Sequence, residues 1–200
     1  VYNIEGRDWE DFAMIGGDMQ LVIGLCGKAG SGKGEVAKIL DKHFSTYVLP
    51  FARPLKRMAI EFGWDGKKDE KGRKFLQMLG TEIGRAYNTN HWVDCWKVEA
   101  NKALKETETG FGPGPFDPRY QIIVADDVRF DNEGECIHSY GGINIRMVGR
   151  AYDLGDNSTH ASESGLNPLL IDGQIDNSGT VEHLEQMILT LINTYYKVKG

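Results

Sequence analysis

The run Leu21-Val22-Ile23-Gly24-Leu25-Cys26, followed at once by Gly27-Lys28-Ala29-Gly30-Ser31-Gly32-Lys33-Gly34, constrains this chain more than any other feature. A short apolar run closed by glycine reads as a buried parallel strand. The next residues satisfy G-x-x-x-x-G-K and lead into residues 35–44, where Val36, Ala37, Ile39, Leu40 and Phe44 fall at helical spacing. Strand, glycine loop and helix in that order make a phosphate cradle. Glycines let the backbone wrap inward so that several N–H groups converge on phosphate oxygens, and the helix adds the positive end of its dipole. Gly27, Ala29, Gly30, Ser31, Gly32, Lys33 and Gly34 are therefore candidate ATP contacts, with Lys33 directed at the β- and γ-phosphates. The motif calls for Ser or Thr after the lysine to ligate Mg²⁺, and Gly34 and Glu35 stand there instead. Magnesium would then depend on phosphates, water and a carboxylate elsewhere, with the Ser31 hydroxyl as an additional donor.

The remaining pattern alternates. Residues 47–52 read as a second strand, and Pro54 supplies a start signal for a helix over 55–62. Helical stretches follow at about 70–87 and 92–106. Residues 107–119 hold three glycines and three prolines and read as a loop. Gln121-Ile122-Ile123-Val124-Ala125 is a third strand, 142–148 a fourth, 169–175 a weaker fifth, and 180–195 a closing amphipathic helix. Such alternation implies an α/β fold, a three-layer doubly wound parallel sheet whose ligands gather at the carboxyl ends of the strands. No repeat or linker divides it, so residues 19–200 are expected to form a single domain. Residues 1–18, with the protease-site sequence Ile4-Glu5-Gly6-Arg7 ahead of Met19, read as a tag or an extension outside the fold.

Composition narrows the function classes. Lys and Arg number 23 against 29 Asp and Glu, a net charge of −6, so the basic footprint of a nucleic-acid binder is absent. No apolar run reaches the ~18 residues of a membrane span. The 3 cysteines include no C-x-x-C pair, which argues against a disulfide framework or zinc site and fits a cytoplasmic setting. A small-molecule partner is expected, with neither nucleic acid nor membrane, and a homodimer is compatible with all of this.

Two further regions carry chemistry. Asp126-Asp127 closes the third strand, where an acid can bind magnesium through water or orient an acceptor oxygen; the alternative is a helix cap. Residues 53–74 hold eight basic residues against four acids, +4 within an acidic chain. Lys67, Lys68 and Lys71 read best as a solvated face. Lys56, Arg73 and Arg85 are candidates for anion binding, and Arg129 is a stronger one, since it emerges at the same edge as the cradle and its fork suits a phosphate.

These residues also carry a resemblance. The cradle, Phe51-Ala52-Arg53-Pro54-Leu55-Lys56, Gly63-Trp64-Asp65-Gly66-Lys67-Lys68 and Leu79-Gly80-Thr81-Glu82-Ile83-Gly84-Arg85 resemble the phage-type deoxynucleoside monophosphate kinases. So do Asp127-Val128-Arg129-Phe130 with Asn132-Glu133, His160-Ala161-Ser162-Glu163, and Ile175-Asp176-Asn177-Ser178-Gly179-Thr180. The likeness runs in order from about residue 20 to 196. It implies a P-loop kinase that moves the γ-phosphoryl of ATP, with Mg²⁺, to a deoxynucleoside monophosphate. Lys33, Asp127 and Arg129 match its catalytic positions, with Asp127 the first metal carboxylate and Asp126 the reserve. Lys56, Arg73 and Arg85 fall in its monophosphate-binding half, about 53–106, where Trp64 and Trp92 would border a base or else pack in the core. Asn177, Ser178 and Gly179 match the loop bordering adenine, or form a turn that caps the last helix. A lid is expected at about 150–168, with Arg150 on the ATP side and Glu163 toward the acceptor. Arg53 stands where the family pattern has an acid, and Asp126 where it has a non-acidic residue. His-x-Ser-Glu also occurs in phosphomevalonate kinases, so a kinase of that acceptor or of dephospho-coenzyme A is the alternative, and a P-loop NTPase switch a more distant one.

Overall fold

The computed structural model describes residues 20–108, 122–149 and 165–199, and for 105–108 and 196–199 the backbone alone. In chain order the elements are β1 (Leu21–Cys26), α1 (Lys33–His43), β2 (Thr46–Val48), α2 (Ala52–Glu61) and α3 (Glu70–Gln77), which runs on into a π-helical segment (Met78–Arg85). Then come α4 (His91–Glu108), β3 (Ile122–Ala125), α5 (Asp131–Ser139), β4 (Ile143–Val148), β5 (Gly173–Asp176) and α6 (Val181–Lys199). The strands form one sheet in the order β2-β3-β1-β4-β5, every pair parallel. No helix among the described residues is long and apolar enough to cross a membrane.

Period-two alternation along the central strands divides the core into two layers. Leu21, Ile23 and Leu25 of β1 face α1 and α6 with Ile122, Val124, Ile145 and Met147, meeting Val36, Leu40, Leu184, Ile188 and Ile192. Val22 and Cys26 face the other way with Ile123 and Ala125, against Val93, Trp96 and Ala100 of α4 and Cys136 and Ile137 of α5. Trp96 anchors this second layer: fully buried, it donates its indole N–H to the Leu49 carbonyl at 2.7 Å and stacks on Phe51, centroids 5.0 Å apart. Helices on both faces of a parallel sheet make the expected three-layer doubly wound fold.

Three elements differ from the sequence reading. β2 stops at Val48 because α2 begins at Ala52, ahead of Pro54, which sits in the first turn where its missing N–H has no intrahelical role. β5 starts only at Gly173; Pro168–Leu170 makes a short 3₁₀ turn and Leu169 is 90% exposed. Helix α5 was not anticipated, since Asp131-Asn132-Glu133-Gly134-Glu135 has little apolar periodicity and a central glycine. That glycine lets Leu166 pack close, because a Cβ at Gly134 would lie 2.8 Å from the end of the Leu166 side chain, which would have to shift.

Gly24, in the middle of β1, closes the sheet against α5. A Cβ there would lie 2.3 Å from Asn144 Oδ1 and 3.0 Å from both Ile137 and Val128. Gly24→Ala is therefore expected to destabilise the fold by about 1–3 kcal/mol through overpacking, read as a lowered urea midpoint.

Candidate active site

The parallel strands bring their carboxyl ends to one edge, and the loop after β1 opens there. Gly27, Gly30 and Gly32 have φ of 132°, 77° and 98°, a backbone region that side chains other than glycine strain to enter. Space is closed as well: a Cβ at Gly27 would lie 2.4 Å from the Met147 carbonyl, and one at Gly32 2.1 Å from Asn177 Nδ2. Lys33 begins α1 and folds back over the loop, its ammonium donating to the carbonyls of Gly27 at 2.7 Å and Lys28 at 2.8 Å, with Ser31 Oγ at 3.4 Å. The charge is thus held in the concavity of the loop, beside the helix N-terminus. Ser31 is 1% exposed, beneath the loop rather than on its rim. A Cβ at Gly34 meets nothing within 4 Å, so packing does not dictate the missing Ser or Thr.

Asp126 and Asp127 leave β3 beside this loop, since Gly24 pairs with Ala125 in the register of β1 and β3. Their roles separate. Asp127 accepts the backbone N–H of Phe51 at 2.7 Å through Oδ1 and of Ala52 at 3.0 Å through Oδ2, so it caps α2 from across the sheet edge. Burial pushes its carboxyl above the ordinary range, opposed by the Ala52 N–H bond and reinforced by Asp126. Asp127 takes the cap alternative, and each of its oxygens, accepting one N–H, keeps a lone pair for the expected metal contact. No cluster of three His, Cys, Asp or Glu suited to a metal occurs among the described residues.

Several cations and Asp126 act electrostatically on one side chain, Lys68. The fields of Lys56, Arg73 and Arg129 all fall on the Lys68 ammonium, and its pKa is lowered, first by Lys56, then by burial and by Arg73, with Asp126 opposing. Arg73 is held there by its Nε–H, which donates to the Lys68 carbonyl at 2.9 Å. Lys56, Arg73 and Arg129, the expected anion-binding cations, thus all act electrostatically on Lys68. Lys68, read as part of a solvated face, is exposed but belongs to the same group; its position in a run of lysines hid it. Asp69 caps α3 through Gly72 N–H at 2.8 Å and Trp64 donates its indole N–H to the Lys67 carbonyl at 3.0 Å, which fixes the turn carrying Lys68.

Other expected contacts point elsewhere. Arg85 is 11% exposed and paired with Glu133, donates to Thr89 O and Asn132 Oδ1 at 3.3 Å each, and lies 3.7 Å over the Phe130 ring. The expectation of a direct anion contact from Arg85 is revised, since its guanidinium is already engaged on both terminal nitrogens. Glu133, given no role from the sequence, is buried with its carboxyl pushed up to about 7 by burial and by Asp127, against Arg85 and two backbone N–H groups. Trp92 takes the core alternative: it is 4% exposed and donates to the Gly80 carbonyl at 2.8 Å. Arg53 turns away from the edge to Tyr47 Oη and the Val48 carbonyl, both at 2.6 Å, and toward Glu99. At the end of β5, Asn177 is buried and donates to the Ser31 carbonyl at 3.1 Å, bracing the glycine loop, while Asp176 accepts the Ser178 N–H at 2.9 Å in a turn ahead of Gly179 and α6. Arg150 and Glu163, and most of the expected lid, lie outside the described residues.

A parallel sheet in this order, with a glycine loop after its central strand and a lysine folded into that loop, defines a P-loop fold of the α/β class. A family model for deoxynucleotide monophosphate kinase matches residues 64–188, and the chain belongs to that family. A protein of Acanthamoeba polyphaga mimivirus, provisionally named a deoxynucleotide monophosphate kinase, is 28% identical over 193 residues, covering 86% of this chain and 96% of its own. Among solved structures, an APS kinase of Mycobacterium tuberculosis matches at TM-score 0.36 and 15% identity over 88% of this chain and 98% of its own. A sugar kinase from Janibacter matches at TM-score 0.43 and 15% identity over 88% and 95%. The fold rests on the sheet order and the loop rather than on these last two likenesses.

The two acids should separate in a stability measurement. Asp127→Ala removes the cap of α2 and should cost about 0.5–2 kcal/mol in urea unfolding, whereas Asp126→Ala should stay within about 0.5 kcal/mol of the parent.

Proposed function

We propose that the chain transfers the γ-phosphoryl group of ATP, in line, to the phosphate of a deoxynucleoside monophosphate, giving the diphosphate. The observation that carries this reading is the glycine loop with the Lys33 ammonium folded into its concavity, in a chain of the deoxynucleotide monophosphate kinase family. Lys56, Arg73 and Arg129 also disfavour the charge on Lys68, and a bound anion relieves that repulsion. A phosphate monoester carried by the acceptor fits the requirement. Family membership supplies its chemical class.

The loop amides and Lys33 hold the donor phosphates, and the end of β5, through Asn177, Ser178 and Gly179, borders the donor base. Lys56, Lys68 and Arg73 hold the acceptor phosphate together with Arg129, whose guanidinium also meets charge developing as the phosphoryl reaches the acceptor. Trp64 borders the acceptor. Arg150 and Glu163 belong to a lid whose closure excludes water, the competing acceptor. Mg²⁺, when bound, would neutralise charge on the donor phosphates; with no hydroxyl at Gly34, the residues that would hold it are Asp127, through its remaining lone pairs, and Asp126 beside it. Positioning and charge neutralisation then supply most of the acceleration, with no covalent intermediate.

The direct test is ADP release with Mg-ATP across the four deoxynucleoside monophosphates, their ribose counterparts, phosphomevalonate and dephospho-coenzyme A. Turnover confined to nucleoside monophosphates, and best with deoxy forms, is expected; transfer only to one of the two metabolites overturns the assignment. Lys33→Ala should lower kcat/KM by at least about 10²-fold while the fold persists. Lys68→Ala should raise KM for the monophosphate about tenfold with little change in KM for ATP.

A further inference from the structure

Arg85 and Glu133 come from different parts of the chain, and both are withdrawn from the sheet edge into a buried contact beside it. Arg85 ends the π-helical segment, and Glu133 stands in the first turn of α5. One Glu133 oxygen, Oε1, takes the Arg85 guanidinium. The other, Oε2, accepts the backbone N–H of Arg129 at 2.8 Å and of Phe130 at 3.2 Å. The contact is closed on every side: Arg85 stacks on the Phe130 ring, and Asn132 donates to the Thr89 carbonyl at 2.8 Å and to Asn90 Oδ1 at 2.9 Å. The acceptor-side helices are thereby stitched to the loop that carries Arg129. Glu133 and Arg85 are only 5% and 11% exposed, and a buried ion pair is poor value as a source of stability compared with apolar packing. What the pair does supply is a fixed backbone at Arg129.

We infer that Glu133 is a positioning residue: by holding Arg85 on one oxygen and the Arg129 and Phe130 amides on the other, it sets where the Arg129 side chain meets the acceptor phosphate. Arg85 acts through Glu133 rather than on the nucleotide. This rests on the kinase reading given above. Its consequence is specific: loss of the latch is felt through Arg129 and on the acceptor side, and the ATP side is spared.

The test is a kinetic cycle on the full chain, using Mg-ATP and whichever deoxynucleoside monophosphate gives the fastest ADP release. Glu133→Gln keeps a neutral acceptor for the amides but removes the charge that fixes Arg85. It should lower kcat/KM for the monophosphate about tenfold, because small misplacements of a positioned group are costly, with KM for ATP within about twofold. In an Arg129→Ala background the same substitution should have less than about a twofold further effect, since the group it positions is gone. Arg85→Lys should recover part of the activity lost in Arg85→Ala, and it runs the same cycle should Glu133→Gln fail to fold. An effect of either substitution that is undiminished without Arg129, or that falls equally on ATP, overturns the inference. So does a lowered thermal midpoint with unchanged kinetics. Wild-type turnover with these outcomes leaves the kinase reading standing, whereas wild-type chain inactive on every deoxynucleoside monophosphate removes both.

Discussion

The carboxylate of Asp127, seated on the N-terminus of α2, is the contact on which the placement of α2 against the sheet edge depends. It ties the first residues of α2 to the end of β3 through two N–H bonds, at 2.7 and 3.0 Å. The helix it caps carries Lys56, and the turn and helix that follow carry Lys68 and Arg73. Glu133 repeats the device one turn further on, with its carboxylate on the amides at the start of α5 and its second oxygen on Arg85. Two buried acids that follow β3, one just past its end and one in the first turn of α5, thus hold α2 and the end of the π-helical segment beside a sheet whose central strand delivers the phosphate loop. Each acid is disfavoured as a charge by burial, and each is compensated by backbone N–H groups.

That arrangement lets an acidic chain carry the cations that the proposed phosphate acceptor requires. The net charge of −6 is an average over the whole surface, while the cations that matter converge on Lys68. Their proximity is enforced by caps and turns: Asp69 on α3, Trp64 on the Lys67 carbonyl, and Arg73 on the Lys68 carbonyl. Arg53, in the same basic stretch, is spent on β2 and α4 instead. A basic stretch in the sequence therefore holds both site and scaffold, and only the fold separates them.

The sheet, its central strand and the glycine loop were legible in the sequence because each has its own local signal. β1 spans the residues read for it, and three positive-φ glycines fall in the cradle motif. What stayed hidden depended on long-range contacts. Helix α5 has weak periodicity and is defined by Glu133 bonding back to the Phe130 amide, a cap without the usual Ser or Thr to announce it. Asp127 and Arg85 have the residue types of a phosphate site, yet tertiary partners engage them as well, and Trp92 has the same history through its bond to Gly80. Lys68 is the reverse case, a residue in an unremarkable lysine run that the turn delivers to the other cations.

The central claim is that loop and cation cluster serve two nucleotides whose phosphates meet at one sheet edge. Inhibition by a dinucleoside pentaphosphate, with adenosine at one end and deoxyguanosine or thymidine at the other, measures this directly. The account predicts competition against both ATP and the deoxynucleoside monophosphate, with affinity above that of either nucleotide alone because one molecule fills both halves. Competition against ATP only, with the monophosphate still bound in its presence, would contradict it.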